Sequence, residues 1–107
     1  MTNLEKIGKL TLKNQGGFVV KMDFVSRTGR REKGSRKDIT LGRSETQDPG
    51  LFGINNGEEI TIHADVVAGK DKVGNTWFIY EEGNPRTAKF TISGTTLDNE
   101  LGFNGIE

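Results

Sequence analysis

The sequence predicts a small all-β protein, an antiparallel β-sandwich of about six to eight short strands with little or no helix. Apolar and polar residues alternate in short stretches, most clearly in Glu59-Ile60-Thr61-Ile62-His63-Ala64-Asp65-Val66. A period of two places the even positions of this stretch on one face of a strand. The chain has 15 glycines in 107 residues, about twice the usual ~7%, which is typical of a protein rich in tight turns. No window longer than ten residues carries an apolar stripe of helical period.

The predicted strands are bounded by turn residues and cover positions 6–12, 18–25, 38–41, 59–67, 75–81 and 87–93, with room for a last strand in 97–106. We expect the first two strands to form a hairpin across Asn14-Gln15-Gly16-Gly17. Strong turn signals also occur at Asp48-Pro49-Gly50 and Asn55-Asn56-Gly57. Residues 1–107 are therefore expected to form a single β-sandwich domain.

The apolar faces of three predicted strands define the expected core. One face consists of Phe18, Val20, Met22 and Phe24, and another of Ala88, Phe90 and Ile92. The strand at 75–81 is ambiguous, because either Phe78 and Tyr80 or Trp77 and Ile79 can point inward. We favour Phe78 and Tyr80 as the inward pair, which leaves Trp77 more exposed.

Composition excludes several functional classes. Fifteen basic and fifteen acidic residues balance, so attraction of the whole protein to nucleic acid or to anionic lipid is not expected, and any such attraction must be local. The chain has no cysteine and one histidine, His63, which argues against disulfides, a thiolate nucleophile and a zinc site. The neighbouring carboxylates Glu58-Glu59 and Glu81-Glu82 point to opposite faces of a strand and do not form an acid–base pair. We therefore expect no enzymatic activity, no catalytic residues, no metal and no cofactor.

No apolar run approaches the ~20 residues of a membrane-spanning helix, and the first twelve residues lack the apolar centre of a secretory signal. We accordingly expect no transmembrane insertion. The expected location is the cytoplasm, or outside the cell after release without a conventional signal peptide.

One segment is unusual in its charge. Residues 27–37, which we call the basic segment, contain six basic residues and a single acidic one, Glu32. Two interpretations are open: a solvated loop that protects a sheet edge, or a contact for an anionic ligand such as a lipid headgroup. Trp77 and Tyr80 are likewise either core residues or an aromatic binding patch. The candidate ligand-binding residues are thus Arg27, Arg30, Arg31, Lys33, Arg36, Lys37, Trp77 and Tyr80.

The last third of the chain resembles a known pattern. The stretch Thr91-Ile92-Ser93-Gly94-Thr95-Thr96-Leu97-Asp98-Asn99-Glu100-Leu101-Gly102-Phe103 is similar to the closing hairpin of actinoporin-like and aegerolysin-like β-sandwiches, which include fungal fruit-body lectins and lipid-binding cytolysins. The opening Leu10-Thr11-Leu12-Lys13-Asn14-Gln15-Gly16 resembles their first strand and turn. The matched residues belong to the scaffold, so the resemblance assigns no ligand contacts. It implies binding to a surface lipid or glycan, and the short, charged start of this chain departs from the membrane-inserting segment of actinoporins.

These observations favour a small non-enzymatic binding module that recognises an anionic lipid headgroup or a glycan. The alternative is a structural protein that assembles through its sheet edges, as a homo-oligomer or with a protein partner. Nucleic-acid binding is not expected, because the basic segment contains no aromatic residue on which bases could stack.

Overall fold

The structure is a computed structural model that describes residues 3–107. Ten strands and one short 3-10 helix follow one another along the chain: β1 Glu5–Ile7, β2 Lys9–Gly16, β3 Val20–Ser26, β4 Arg31–Lys33, β5 Ser44–Gln47, the 3-10 helix Pro49–Phe52, β6 Glu59–Val66, β7 Lys72–Val73, β8 Phe78–Tyr80, β9 Thr87–Gly94 and β10 Asn99–Ile106. Within the described residues no helix is long and apolar enough to reach across a membrane.

The strands form two sheets. The larger sheet has the order β1-β8-β6-β3-β4, with β7 pairing beside β6, and the smaller sheet has the order β10-β9-β2-β5. The longest pairing is β2 with β9, followed by β3 with β6 and β9 with β10, which are equal in length. The predicted all-β class is confirmed, and so is the near absence of helix.

The pairing directions differ from the expected purely antiparallel arrangement. β1 pairs with β8, and β2 with β9, in parallel, so both sheets are mixed. The predicted hairpin between the first two long strands is wrong, because β2 and β3 lie in different sheets. The buried side chain of Asn14 organises this crossing: its Nδ2 donates to the carbonyl oxygens of Phe18 and Ile39 at 2.6 and 2.9 Å, and its Oδ1 accepts from the N–H of Gly16 at 2.8 Å. The apolar faces of β2 and β3 therefore meet across the core instead of lying side by side.

The core lies between the two sheets and is built from the alternating apolar positions. The smaller sheet contributes Leu10, Leu12, Ala88, Phe90 and Ile92, and the larger sheet contributes Val20, Met22, Phe24, Ile60, Ile62, Ala64, Val66, Phe78 and Tyr80. Each of these side chains is almost completely buried. Phe78 and Tyr80 point inward as predicted, both 1% exposed. Removal of this apolar surface from water is the main driving force for folding.

The shortest elements were not resolved by the sequence pattern. The strand predicted at 38–41 is reduced to a single bridge between Ile39 and Val20. β4, β5 and β7 have two to four residues each and fall in stretches interpreted as loops. A period of two cannot be recognised over so few residues, so these strands depend on the partner beside them.

The change of sheet between β1 and β2 depends on Gly8. A Cβ atom at this position would lie 2.0 Å from the carbonyl oxygen of Asn84, whereas one at Gly17 would have nothing within 4 Å. We predict that Gly8→Ala lowers the free energy of unfolding by roughly 1–3 kcal/mol, since backbone must move to accept the methyl group. Gly17→Ala, the matched control, should leave it nearly unchanged. Urea unfolding followed by circular dichroism measures both, and equal losses in the two variants would contradict the close contact.

Candidate functional site

The basic segment is an ordered part of the larger sheet. It begins after β3, contains β4 at the sheet edge and then runs toward the edge of the smaller sheet. There the N–H of Ser35 donates to Oε1 of Gln47 at 3.1 Å, and Nε2 of Gln47 donates to Ser35 Oγ at 2.9 Å. The basic segment therefore covers one side of the sandwich.

Two arginines of this segment bind a buried carboxylate. Asp23 is fully buried on the outer side of β3. Arg31 donates to Asp23 Oδ2 from Nε at 3.0 Å and from Nη2 at 2.6 Å, and Arg36 Nη1 lies 2.8 Å from both carboxylate oxygens. Arg36 also donates to Asp65 at 2.6 Å. Hydrogen bonds to Asp23 and Asp65 raise the pKa of Arg36 above its ordinary value.

Three further cations of the basic segment also have carboxylate partners. Arg30 binds Glu58 at 2.7 Å, Arg27 lies 3.5 Å from Glu59, and Lys37 lies 3.7 Å from Glu45. Burial raises the pKa of Glu58, but hydrogen bonds from the Asn55 N–H and from Arg30 outweigh it, so the net shift is downward.

Lys33, the sixth basic residue, is exposed and forms no ion pair within residues 3–107. The charge excess seen along the sequence is thus largely balanced in three dimensions by acidic residues from β3, β5 and β6. Ligand binding by the basic segment stays a prediction.

The two aromatic candidates occupy different environments. Tyr80 lies in the core, and its hydroxyl donates to Asp48 Oδ1 at 2.5 Å. Burial and this hydrogen bond raise the pKa of Tyr80 to about 12. Trp77 is half-buried, and the guanidinium carbon of Arg27 lies 4.5 Å from the centre of its ring, a cation–π contact. Of the two, only Trp77 presents a surface that a ligand could reach.

His63 belongs to the charged network on the outer face of the larger sheet. Its Nε2 lies 3.0 Å from Asp71 Oδ2. Burial opposes ionisation of Asp71, but hydrogen bonds from His63 and from the N–H of Val66 prevail and lower its pKa. Among residues 3–107 no group of three or more His, Cys, Asp or Glu side chains could hold a metal ion.

Sequence reasoning missed a cluster of loops at one end of the sandwich, which we call the loop end: residues 17–19, 40–43, 67–71 and 95–98. The strand register brings Gly16 beside Gly94 and Val20 beside Val66. Backbone hydrogen bonds join loop 67–71 to two of the others, Val67 N to Val19 O at 2.9 Å and Lys70 N to Thr96 O at 2.8 Å. Two more attach loops to the ends of β9 and β2, Gly17 N to Gly94 O at 3.1 Å and Gly42 N to Asn14 O at 2.7 Å.

The loop end carries exposed apolar side chains and cations. Leu97 is 66% exposed, Leu41 64% and Val67 43%. Arg43 and Lys70 are exposed there and form no ion pair with any described residue. The sequence contains little indication of this surface, because each of the three apolar residues stands alone in a turn. Only the tertiary fold places them at the same end of the sandwich.

The comparisons with known proteins identify a similar fold. No family model matches this sequence, and no curated protein matches it. Among solved structures, a disulfide-locked mutant of intermedilysin with human CD59 is similar at a TM-score of 0.50 and 17% identity, over 94% of this chain and 24% of that chain. The membrane-binding domain of pneumolysin has a TM-score of 0.48 and 15% identity, over 92% of this chain and 96% of that chain. Suilysin, a cytotoxin from Streptococcus suis, has a TM-score of 0.47 and 21% identity, over 94% of this chain and 23% of that chain.

This chain therefore spans about a quarter of the length of intermedilysin and of suilysin. The likeness is one of fold alone, since the identities are 15–21%. The broader expectation of a β-rich fold shared with cytolytic proteins is confirmed. The narrower resemblance to actinoporins and aegerolysins stays a prediction.

The buried carboxylate of Asp23 yields a stability prediction. Asp23→Ala should lower the free energy of unfolding by roughly 1.5–3 kcal/mol, because the two arginines bound to it lose their charge-assisted hydrogen bonds. The loss is limited because both arginines are about a third exposed and keep Asp65 as a partner. Asp38→Ala removes a carboxylate that pairs with Lys21 at a 61% exposed position and should cost less than about 1 kcal/mol. Chemical denaturation of both variants is the measurement. Similar losses would show that the Asp23 cluster contributes no more than a surface ion pair.

Proposed function

We propose that this chain is a non-enzymatic binding module that docks on a lipid surface through its loop end. The observation that carries the proposal is the presence of three exposed aliphatic side chains, Leu41, Val67 and Leu97, at one end of a rigid sandwich. Exposed apolar clusters on soluble proteins mark interaction sites. Arg43 and Lys70 at the same end form no ion pair with a residue of 3–107, and they are suited to the anionic headgroups that flank such a contact.

The scaffold is consistent with this mode of binding. Both sheets end at the loops, so the apolar side chains stand on short connections held by backbone hydrogen bonds rather than on a long flexible segment. A preorganised surface loses little conformational entropy on contact. The likeness to intermedilysin concerns architecture, and the proposal depends on the side chains at the loop end.

The basic segment remains a second candidate contact for anionic headgroups. Its cations differ in their availability to a ligand, because Arg31 and Arg36 are engaged in ion pairs with the buried Asp23. Lys33 and Lys37 are the most open members, and Lys37 is 72% exposed. A test of this segment should therefore reverse Lys33 and Lys37 and leave the two arginines in place, because loss of the arginines would damage the fold.

Co-sedimentation with vesicles tests the proposal. We expect binding to phosphatidylcholine vesicles that strengthens when phosphatidylserine is added and weakens partly with salt. Leu97→Asp should weaken binding at least about tenfold, because burial of a leucine contributes roughly 1.5–3 kcal/mol. Leu51→Asp is the matched control, since Leu51 is 77% exposed in the 3-10 helix at the opposite end.

The outcomes separate the two surfaces. If Leu97→Asp and Leu51→Asp bind alike while the Lys33→Glu, Lys37→Glu double variant loses binding, the basic segment is the contact and the loop end is not. If the wild-type protein binds neither kind of vesicle, the lipid proposal fails. Circular dichroism confirms that each variant is folded before its binding is compared.

Assembly through a sheet edge is the second candidate function. The observation that favours it is β10, an eight-residue strand at the edge of the smaller sheet, because an uncovered edge can pair with another strand. A stable oligomer at low micromolar concentration in sedimentation velocity would support this function. A monomer at the same concentration would count against it.

A further inference from the structure

The side of the sandwich opposite the basic segment contains an open groove. It lies where β7, at one edge of the larger sheet, packs beside β10 of the smaller sheet, and it has a volume of about 530 Å³. A second depression of about 360 Å³ lies beside Trp77, and Asn75 lines both. Cavities of ~300–1,000 Å³ are the usual size of small-molecule sites. Neither depression includes the exposed leucines of the loop end.

One wall of the groove carries a polar atom without a partner. Asn99, at the start of β10, is 4% exposed. Its Nδ2 donates to the carbonyl oxygens of Lys70, Thr95 and Thr96 at 3.1, 3.2 and 3.3 Å, which fixes the orientation of the amide. Its Oδ1 accepts no hydrogen bond from any described residue. A buried acceptor of this kind destabilises the protein until a donor reaches it. Asn99 is also one of the residues that line the groove.

The remaining polar groups of the groove suit an uncharged ligand. Asn75 and Ser93 provide an amide and a hydroxyl group, each able to donate and to accept. The hydroxyl of Thr91 donates to Asn104 Oδ1 at 2.6 Å and is left as an acceptor.

Lys72 and Glu100 lie in the same lining and have opposite charges. Their balance disfavours a phosphate or another strong anion. It allows Lys72 to donate to, and Glu100 to accept from, the hydroxyl groups of a ligand.

Apolar surface completes the lining. Val73 is 45% exposed, and Leu101 is partly buried against the core. The half-buried Trp77 lies in the adjoining depression. A sugar ring combines hydroxyl groups at its rim with C–H groups on its faces, so it needs both directional polar partners and flat apolar contacts such as an indole ring.

We propose that this groove binds a neutral oligosaccharide, with a ligand hydroxyl donating to Asn99 Oδ1 and a neighbouring sugar unit against Trp77. This site is separate from the loop end, and its existence does not rest on lipid docking. A chain with both surfaces would bind the lipid and the sugar parts of a cell surface.

The test is a titration of the full chain followed by two-dimensional NMR. The probes are the methyl glycosides of glucose, galactose, mannose and N-acetylglucosamine, together with maltose and lactose. We expect at least one probe to shift the side-chain amide signals of Asn99 and Asn75 and the backbone amide of Ser93 in a saturable manner. Trp77, the only tryptophan of the chain, should change its fluorescence with the same dissociation constant for a disaccharide.

Two variants and a matched control decide whether the groove is the site. Val73→Trp fills the groove from a position that is already exposed, and it should weaken binding at least tenfold. Ser93→Ala removes one polar partner and should weaken binding several-fold. Leu51→Trp places the same large side chain at the opposite end of the sandwich, and it should bind like the wild type.

Three results would overturn the proposal. The first is that no probe shifts the signals of Asn99, Asn75 or Ser93. The second is saturable shifts confined to residues outside the groove. The third is equal affinity of Val73→Trp and Leu51→Trp, provided that both give the dispersed spectrum of a folded protein.

Discussion

The parallel pairing of β2 with β9 is the constraint on which the rest of the molecule depends. It joins a segment near the start of the chain to one near its end over eight consecutive pairs, from Lys9–Thr87 to Gly16–Gly94. Because β2 and β9 occupy the centre of the smaller sheet, their register decides where β5 and β10 attach on either side. The same register sets where the strands stop, and hence which loops gather at one end. The loop end and the groove beside β10 both follow from this pairing.

The second organising interaction is the ion cluster around Asp23. A carboxylate without solvent access is tolerated only when it is paired and hydrogen-bonded, and Arg31, Arg36 and the N–H of Gly34 meet that requirement. The cluster holds the basic segment against the larger sheet and closes one side of the sandwich. Much of a segment that the sequence left open as a solvated loop is thereby part of the folded structure, and Lys33 and Lys37 are exposed members of it.

The sandwich consequently has sides of different character. The basic segment closes one side. The opposite side is open and contains the edge strand β10 and the groove, which has both polar and apolar lining residues. The loop end adds an apolar surface that lies outside both. Different side chains form the groove and the apolar surface of the loop end, but the two regions are joined, because Asn99 Nδ2 donates to the carbonyl oxygens of Lys70, Thr95 and Thr96.

The all-β class and the inward faces of the long strands were determined by the sequence alone. Alternation over seven or eight residues specifies which side of a strand is buried, whatever strand lies next to it, as the buried positions of β6 and β9 show. The choice of partner was decided only by the tertiary structure. Alternation is the same for parallel and antiparallel neighbours, so it could not exclude a hairpin between β2 and β3. Charge pairing between distant strands and the gathering of Leu41, Val67 and Leu97 at one end also depend on contacts far apart in the chain, and a linear pattern does not contain them.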